Sequence, residues 1–463
     1  MIDFNNISNI YFLGIGGIGM SALARFANNA GKIVAGYDLT ETDLTRQLST
    51  EGITIHYKED LNQLPVTFLK TNTLVVRTPA VPESHIELQY LKENNYQIVK
   101  RSELLGFLTS ERKCIAVSGT HGKTSVSTMV TLLLKESGID VGAFLGGISR
   151  NFDSNLLLPQ SATSLVVTEA DEYDRSFLQL HPSLAVITAI DADHLDIYGT
   201  YEAIVEAFGQ FVANVTEGGI VLYKQGINIQ PILSEGKKFL SYSIDHEADF
   251  MAKRLTIVDG AYQFDIVAPN MVIKDVRLEY PGKVNVENIL AAASVALLSG
   301  ADPLMVKQAI AKYKGVQRRF DIRYKDEHVI YIDDYAHHPE EIRATISSVK
   351  ELYAGKRVLG IFQPHLFSRT QDFAGGFAQS LDLLDEAIIL DIYPAREKPI
   401  PGVTSDIIFN KMKIQSKSIM SKNDIVEVLK TKEFDVLITM GAGNIDQLIE
   451  PICEMLNQKF TGK

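Results

Sequence analysis

Cys114-Ile-Ala-Val-Ser-Gly-Thr-His-Gly-Lys-Thr-Ser125 decides how the rest of the chain is read. An apolar run of strand type enters a glycine turn, and the turn closes on Lys-Thr at the head of the helix-forming run TSVSTMVTLLLKE. Gly119 and Gly122 let backbone N–H groups approach phosphate oxygens, Lys123 reaches the outer phosphates, and the Thr124 hydroxyl suits Mg2+. Thr120 and Ser125 complete the turn, which predicts a bound nucleoside triphosphate. The general pattern G-x-x-x-x-G-K-[ST] calls for glycine at position 117, where this chain has Val117, so the turn is a shortened variant. A plain strand-to-helix turn with a solvent-facing lysine is the alternative, and the acidic strand ends downstream argue against it.

The same alternation runs outward in both directions. Residues 9–13 (NIYFL) read as a strand, followed by Gly14-Ile-Gly-Gly-Ile-Gly19, a helix over 20–29 and the strand KIVAGYD ending at Asp38. By pattern this is a β-α-β dinucleotide fingerprint. Strands are expected at 73–78 and 96–100, and the pattern restarts near Arg112. There the strands 164–170 and 184–190 both end in acidic residues, a helix follows over 201–215, and further strands lie at GIVLY, FLSYSI and YQFDIV before a helix over 286–298. A third restart after Gly315 holds HVIYIDDY, RVLGIFQ, EAIILDIY and DVLITMG. The expected fold is α/β in three domains. Residues 1–108 are Rossmann-like, 109–316 form a central P-loop ATPase-type domain with a mostly parallel sheet, and 317–463 are again Rossmann-like.

Bulk properties exclude several classes. A chain of 463 residues, 46% of them hydrophobic, has material for about three buried cores. A net charge of −12 argues against a general nucleic-acid binder, which needs a basic face. Phosphate must then be met locally, by Lys123, by the pair Arg318 and Arg319, by helix N-termini or by bound Mg2+. The start MIDFNNISNIYFLG lacks the basic run of a secretory signal. The longest helical apolar run, near 289–298, is far short of the roughly 20 residues that cross a bilayer. Cys114 and Cys453 offer neither a disulfide framework nor metal-ligand spacing, so a reducing cytoplasm is the expected compartment.

Three constellations carry further chemistry. In TEADEYDRSF, Glu169 and Asp171 fall at the carboxyl end of a strand, where ligands bind in open α/β sheets. The next strand ends in Asp191-Ala-Asp-His-Leu-Asp196; its His194 is a candidate metal ligand, or an orienting group for a carboxylate. Two such ends beside a phosphate turn favour a metal–phosphate site over a solvated acidic loop. Arg318 and Arg319 precede the third unit, where an arginine stabilises charge on a transferring phosphoryl group, although an Arg-Arg pair is more often plain surface. Asp333-Asp-Tyr-Ala-His-His-Pro339 puts acids and two histidines at a strand end, with a proline opening the helix.

Taken together these residues resemble the ATP-dependent Mur ligases of peptidoglycan synthesis over essentially the whole chain. The elements are GIGGIGM (14–20), GTHGKT (119–124), EADEYDRSF (169–177), DADHLD (191–196), NVEN (285–288), RRF (318–320), DDYAHHP (333–339), QPHLFSRT (363–370) and EKPIPGV (397–403). The chain is most similar to the branch whose acceptor is L-alanine. The resemblance implies that Gly14, Gly16, Gly17, Gly19 and Met20 cradle the diphosphate of UDP-N-acetylmuramate, with Asp38 toward the nucleoside. It implies that Lys123 and Thr124 hold ATP and Mg2+, that Glu169 and His194 complete the metal's ligands, and that Asn288 lies near adenine. Arg319 and Asp334 contact ATP, and His337, His365 and Arg369 face the amino acid, whose carboxylate an arginine grips bidentately. Lys123, His194, Arg319 and His337 are the catalytic candidates; a monomer or homodimer is expected.

The chain departs from the family pattern at Val284-Asn285, where His-Asn is usual, and at Leu366, where arginine is usual. It has no lysine between Thr200 and Leu222, so the carbamylated lysine of several sister ligases is not expected. Three other readings are open at this stage. One is a ligase joining a preformed tripeptide to the same UDP-sugar. Another is an NAD-dependent dehydrogenase suggested by GIGGIG and Asp38, and the third is a binding protein that has lost turnover.

Overall fold

The computed structural model describes residues 4, 6–110, 112–191, 195–228, 230–258, 261–280, 282–395 and 397–461. They divide into two compact units, one of Met1–Leu255, Gln263–Arg277 and Glu287–Tyr313, the other of Thr256–Tyr262, Leu278–Val286 and Lys314–Lys463. Three sheets organise them.

The first sheet has five parallel strands in the order Thr54–His56, Ile33–Tyr37, Asn9–Leu13, Thr73–Arg77 and Gln97–Lys100. Every residue of Asn9–Leu13 is buried, as a strand covered on both faces requires. The order reverses between Asn9–Leu13 and Thr73–Arg77, which opens a crevice at their carboxyl ends.

A ten-stranded sheet follows. At its centre Cys114–Ser118 pairs in parallel with Leu184–Ile187 on one side and Leu165–Glu169 on the other. Val141–Ser149 pairs in parallel with Leu165–Glu169 and antiparallel with the edge strand Ser154–Leu157. Beyond Leu184–Ile187 come Ile220–Lys224, Lys238–Ser243, Phe250–Val258, Ala261–Ala268 and Met271–Leu278.

One apolar core joins the five-stranded sheet to this one, running from Ile10, Phe12 and Leu23 through Phe144, Phe177 and Phe208 to Ala185. Within it Phe26 meets Phe144 at 5.6 Å and Phe177 stacks on Phe211 at 5.0 Å. A buried polar contact pins the same junction. Arg25 Nε donates to Glu51 at 2.9 Å and Nη1 donates to Asn155 Oδ1 at 2.6 Å, while Asn155 Nδ2 donates to the Ile18 carbonyl at 2.6 Å. A guanidinium this deep is tolerated because its donors are matched.

The second unit is built on six strands in the order Asp321–Lys325, Ile330–Asp334, Val436–Met440, Val358–Phe362, Glu386–Ile389 and Lys417–Ile419. Only the first pair is antiparallel.

The three-part α/β architecture and the mostly parallel central sheet agree with the sequence reading. Seven strands are not marked by the sequence pattern: Thr54–His56, Val141–Ser149, Ser154–Leu157, Phe250–Val258, Met271–Leu278, Asp321–Lys325 and Lys417–Ile419. No helix among the described residues is long and apolar enough to cross a membrane.

Candidate active site

The phosphate turn is built by its two glycines. Gly119 has φ 133° and Gly122 φ 83°, and a Cβ at position 119 would overlap the Thr188 side chain. Thr188 sits just past the neighbouring strand, donating its hydroxyl to the Ser118 carbonyl at 3.2 Å and to that of His121. Thr120 is buried, its amide donating to the Ala189 carbonyl at 3.1 Å and its hydroxyl to Asp191 at 3.2 Å. The turn is therefore fastened to the end of Leu184–Ile187. Gly122 then caps the helix Lys123–Glu136, whose free N–H groups favour an anion. Asn288, in the same unit, lies against this cap: a Cβ at 122 would stand 3.1 Å from its Oδ1. The structure thus places Asn288 beside the phosphate turn itself.

Lys123 folds back over the turn, donating to the Gly119 carbonyl at 2.8 Å and to both carboxylate oxygens of Glu172 at 2.9 and 2.8 Å. Burial works against charge on both partners. The ammonium is nevertheless held above its ordinary range, because Glu172, Asp171 and Glu169 together outweigh that cost. Glu172 was not singled out in the sequence, although it stands within the acidic segment. Its only signal was position, one residue past Asp171.

Thr124 donates its hydroxyl to Glu169 Oε2 at 2.8 Å. Glu169 fits because residue 146 is glycine: a Cβ there would overlap the carboxylate. Among the described residues no group of three or more His, Cys, Asp or Glu side chains is arranged to hold a metal. The adjacent hydroxyl and carboxylate, with Asp171 near Lys123, are nonetheless hard oxygen donors of the kind Mg2+ takes beside phosphate, so the residues present fit that ion. His194, the further ligand expected from sequence, lies outside the described residues.

At the crevice of the first sheet the glycine loop follows Asn9–Leu13. Gly14 has φ 87° and packs so closely that a Cβ would overlap Thr78, which follows Thr73–Arg77. Gly17 caps the helix Ile18–Asn29, and a Cβ at Gly19 would come 2.9 Å from Arg101 Nη1. Two residues stand differently from their sequence roles. Asp38 Oδ2 accepts the Gly16 amide at 2.7 Å, so it shapes the loop. The Met20 side chain is buried in the core, which leaves only its backbone at the helix start for a ligand.

The second unit gathers the remaining candidates. His337 Nδ1 stands 3.0 Å from the Tyr335 carbonyl, an acceptor, so that nitrogen carries the proton and a neutral ring presents Nε2 as a lone pair. Burial lowers the imidazole pKa below its ordinary value; Glu341 opposes this and the charges of Arg369 and Arg319 add to it. The His365 ring lies 6.3 Å from that of His337 and stacks on Tyr393. Arg369 is in the helix Phe367–Leu381, whose cap Leu366 has φ 68°. Arg319 is drawn to Tyr335, with 5.1 Å from its guanidinium carbon to the ring centre. Neither Arg319 nor Arg369 forms an ion pair among the described residues. Asp334 is buried and accepts from the Ala336 and Phe320 amides at 2.9 and 3.1 Å and from the Thr345 hydroxyl at 3.0 Å.

Comparison with known proteins gives three consecutive family matches. They are the Mur ligase family catalytic domain over residues 9–113, the Mur ligase middle domain over 117–296 and the Mur ligase glutamate ligase domain over 318–443. A UDP-N-acetylmuramate–L-alanine ligase of Parabacteroides distasonis is 51% identical over 456 residues, covering 98% of each chain. Among solved structures, a UDP-N-acetylmuramate-alanine ligase of Thermotoga maritima superposes with a TM-score of 0.84 at 26% identity, over 98% of this chain and 100% of that one. A murein peptide ligase of Psychrobacter arcticus shares the fold at a TM-score of 0.72 and 24% identity, over 97% of this chain and 98% of its own.

Proposed function

The chain belongs to the Mur ligase family, and from that premise we propose the chemistry its residues perform. The reaction is ATP-dependent ligation of L-alanine to the lactoyl carboxylate of UDP-N-acetylmuramate, giving ADP and phosphate, in peptidoglycan precursor synthesis. The observation that carries the choice of substrates is the 51% identity, along 98% of both chains, to an enzyme named for them. The tripeptide-joining alternative is not favoured, since the murein peptide ligase shares the fold at lower likeness. The dehydrogenase reading falls with the family.

The lactoyl carboxylate attacks the γ-phosphorus of ATP to give an acyl phosphate and ADP. The amine of L-alanine then attacks the acyl carbon, and the tetrahedral intermediate expels phosphate. Thr124 and Glu169, with His194 the further ligand expected from sequence, would hold Mg2+, which offsets the repulsion between triphosphate and carboxylate. Lys123 exchanges Glu172 for a phosphate oxygen, keeping its charge satisfied in both states. The amides of the turn and the cap at Gly122 hold the phosphates in line, and Asn288 braces the cap. Arg319 stabilises charge on the transferring group.

On the acceptor side Arg369 takes the carboxylate of L-alanine and His337 removes a proton from its ammonium. A histidine whose folded pKa lies below its ordinary value stays neutral through physiological pH and is protonated only in more acidic solution. The kcat/KM for L-alanine accordingly falls on the acid side, and His337→Gln removes that limb along with most of the rate.

The test is phosphate release from ATP with Mg2+ and UDP-N-acetylmuramate, alone and with L-alanine, glycine, L-serine or the preformed tripeptide. Release that depends on L-alanine is expected. A higher kcat/KM for the tripeptide would overturn the assignment of the acceptor.

A further inference from the structure

We propose that Arg318 and Asp333 are positioning residues that fix the direction of Arg319 and Asp334. The inference rests on the reading of Arg319 as the cation that faces ATP. The sequence offers two arginines and two aspartates as doublets, and the fold ties the first member of each doublet to the other, Arg318 to Asp333, while Asp334 is held by the backbone and hydroxyl donors around it.

Asp333 and Asp334 are consecutive in the strand Ile330–Asp334, so their side chains leave opposite faces. Asp333 is fully buried; it accepts the Thr439 hydroxyl at 2.7 Å and pairs with Arg318 Nε at 3.1 Å. Thr439 is itself bonded to the Tyr331 hydroxyl at 3.0 Å. Arg318 Nη2 donates to the Gly441 carbonyl at 2.6 Å, and its Nη1 stands 3.5 Å from Asp446. Both guanidiniums face the Tyr335 ring, Arg318 at 5.2 Å and Arg319 at 5.1 Å, but that of Arg318 is also bound to Asp333, Gly441 and Asp446, whereas that of Arg319 forms no ion pair among the described residues.

The backbone carries the consequence. Arg318 and Phe320 have φ of 60° and 48°, a left-handed region that costs a residue with a side chain about 1 kcal/mol or more. Such a conformation persists only where its surroundings over-determine it. Here the Arg318 guanidinium is one clamp and the Arg318 amide, donating to Asp321 at 3.2 Å, is another. The Phe320 amide donates to Asp334, the Tyr335 amide donates to the Arg318 carbonyl at 2.7 Å, and the Tyr280 hydroxyl donates to the Arg319 carbonyl. Arg319 sits between two left-handed residues, so its direction depends on the neighbour that is anchored. Lysine at 318 would keep the charge without the fork that reaches Asp333 and Gly441 together.

The experiment is a double-mutant cycle on kcat and on the KM for ATP, with the Kd of UDP-N-acetylmuramate as the control that folding is intact. Arg319→Ala is expected to lower kcat by about 100-fold or more, and Arg318→Lys by about 10-fold, with the UDP-sugar Kd unchanged in both. If Arg318 acts through Arg319, adding Arg318→Lys to Arg319→Ala lowers kcat no further than about twofold. A further tenfold loss in the double variant overturns the positioning role and leaves the role of Arg319 standing. Wild-type kcat in Arg319→Ala alone overturns the reading of Arg319 and this inference with it. Should Arg318→Lys fail to fold, Asp333→Asn, which keeps shape and loses charge, enters the cycle in its place with the same criteria.

Discussion

Glu172 holds the ammonium of Lys123 with both carboxylate oxygens. Breaking one side of a buried ion pair costs about 3–5 kcal/mol, less where the replacement still accepts a hydrogen bond. Glu172→Gln should therefore lower the melting temperature of the free protein, and ATP should raise it by more than in wild type, because the triphosphate supplies the missing anion. An ATP-induced rise no larger than that of wild type would show that Lys123 does not exchange partners. Arg369→Ala removes a charged, two-pronged contact worth about 1.5–3 kcal/mol, so the KM for L-alanine should rise about 10- to 100-fold with UDP-sugar binding little changed. An unaltered KM would take Arg369 out of the acceptor pocket. Asp334 makes a pH prediction. Burial pushes its carboxyl up to about 6 from the ordinary 3.8, against the pull of Arg319, the Ala336 amide and the Thr345 hydroxyl. The folded chain then binds this proton more tightly than the unfolded one, so its contribution to stability declines as pH rises from about 4 to about 6. Urea unfolding of Asp334→Asn against wild type should show the wild type losing ground across that window, by an amount on the order of 2–3 kcal/mol.

The strand Val141–Ser149 contributes to the site by what it lacks. Gly146 leaves room for Glu169 to reach Thr124, a role invisible in the sequence pattern, since glycines at 142, 146 and 147 depress β-propensity and mask the strand itself. Gly146→Ala should displace the Glu169 carboxylate and cut ATP-dependent turnover about tenfold or more while leaving UDP-sugar binding intact. Normal turnover would mean that Glu169 is not where the metal is held. The other strands that escaped notice share a cause. Phe250–Val258 and Met271–Leu278 carry Lys253, Arg254, Lys274 and Asp275 at exposed positions and Arg277 at a half-buried one, so neither apolar continuity nor clean alternation marks them. Asp321–Lys325 is a short, charged edge strand whose place is set by its antiparallel partner. By contrast, strands covered on both faces, such as Asn9–Leu13 and Cys114–Ser118, were legible as unbroken apolar runs ending at a glycine turn. The turn showed which residues meet phosphate. It did not show that Glu172 answers Lys123, or that Arg318 and Arg319 part company, because both depend on loop geometry that no spacing rule encodes.

Across the whole chain, the alternation of strands and helices was enough for three sheets, but not for the way they share cores. The five-stranded and ten-stranded sheets are joined by common apolar packing and by the Arg25–Asn155–Ile18 contacts, so the first of the two compact units holds both. Calorimetry should find these two sheets melting together, with the transition raised by UDP-N-acetylmuramate and by ATP alike. Separate transitions, each moved by one ligand, would mean that the shared core does not couple them. Underneath these tests stands one chemical claim, that the sugar-borne carboxylate takes the γ-phosphoryl group before the amino acid arrives at the carbonyl. UDP-N-acetylmuramate labelled with oxygen-18 in both oxygens of the lactoyl carboxylate puts it to the question. Turned over with ATP and L-alanine, it should release inorganic phosphate carrying one labelled oxygen, seen by mass spectrometry, because the bridging oxygen of the acyl phosphate leaves with phosphorus. Phosphate free of label would mean that the carboxylate never attacked ATP.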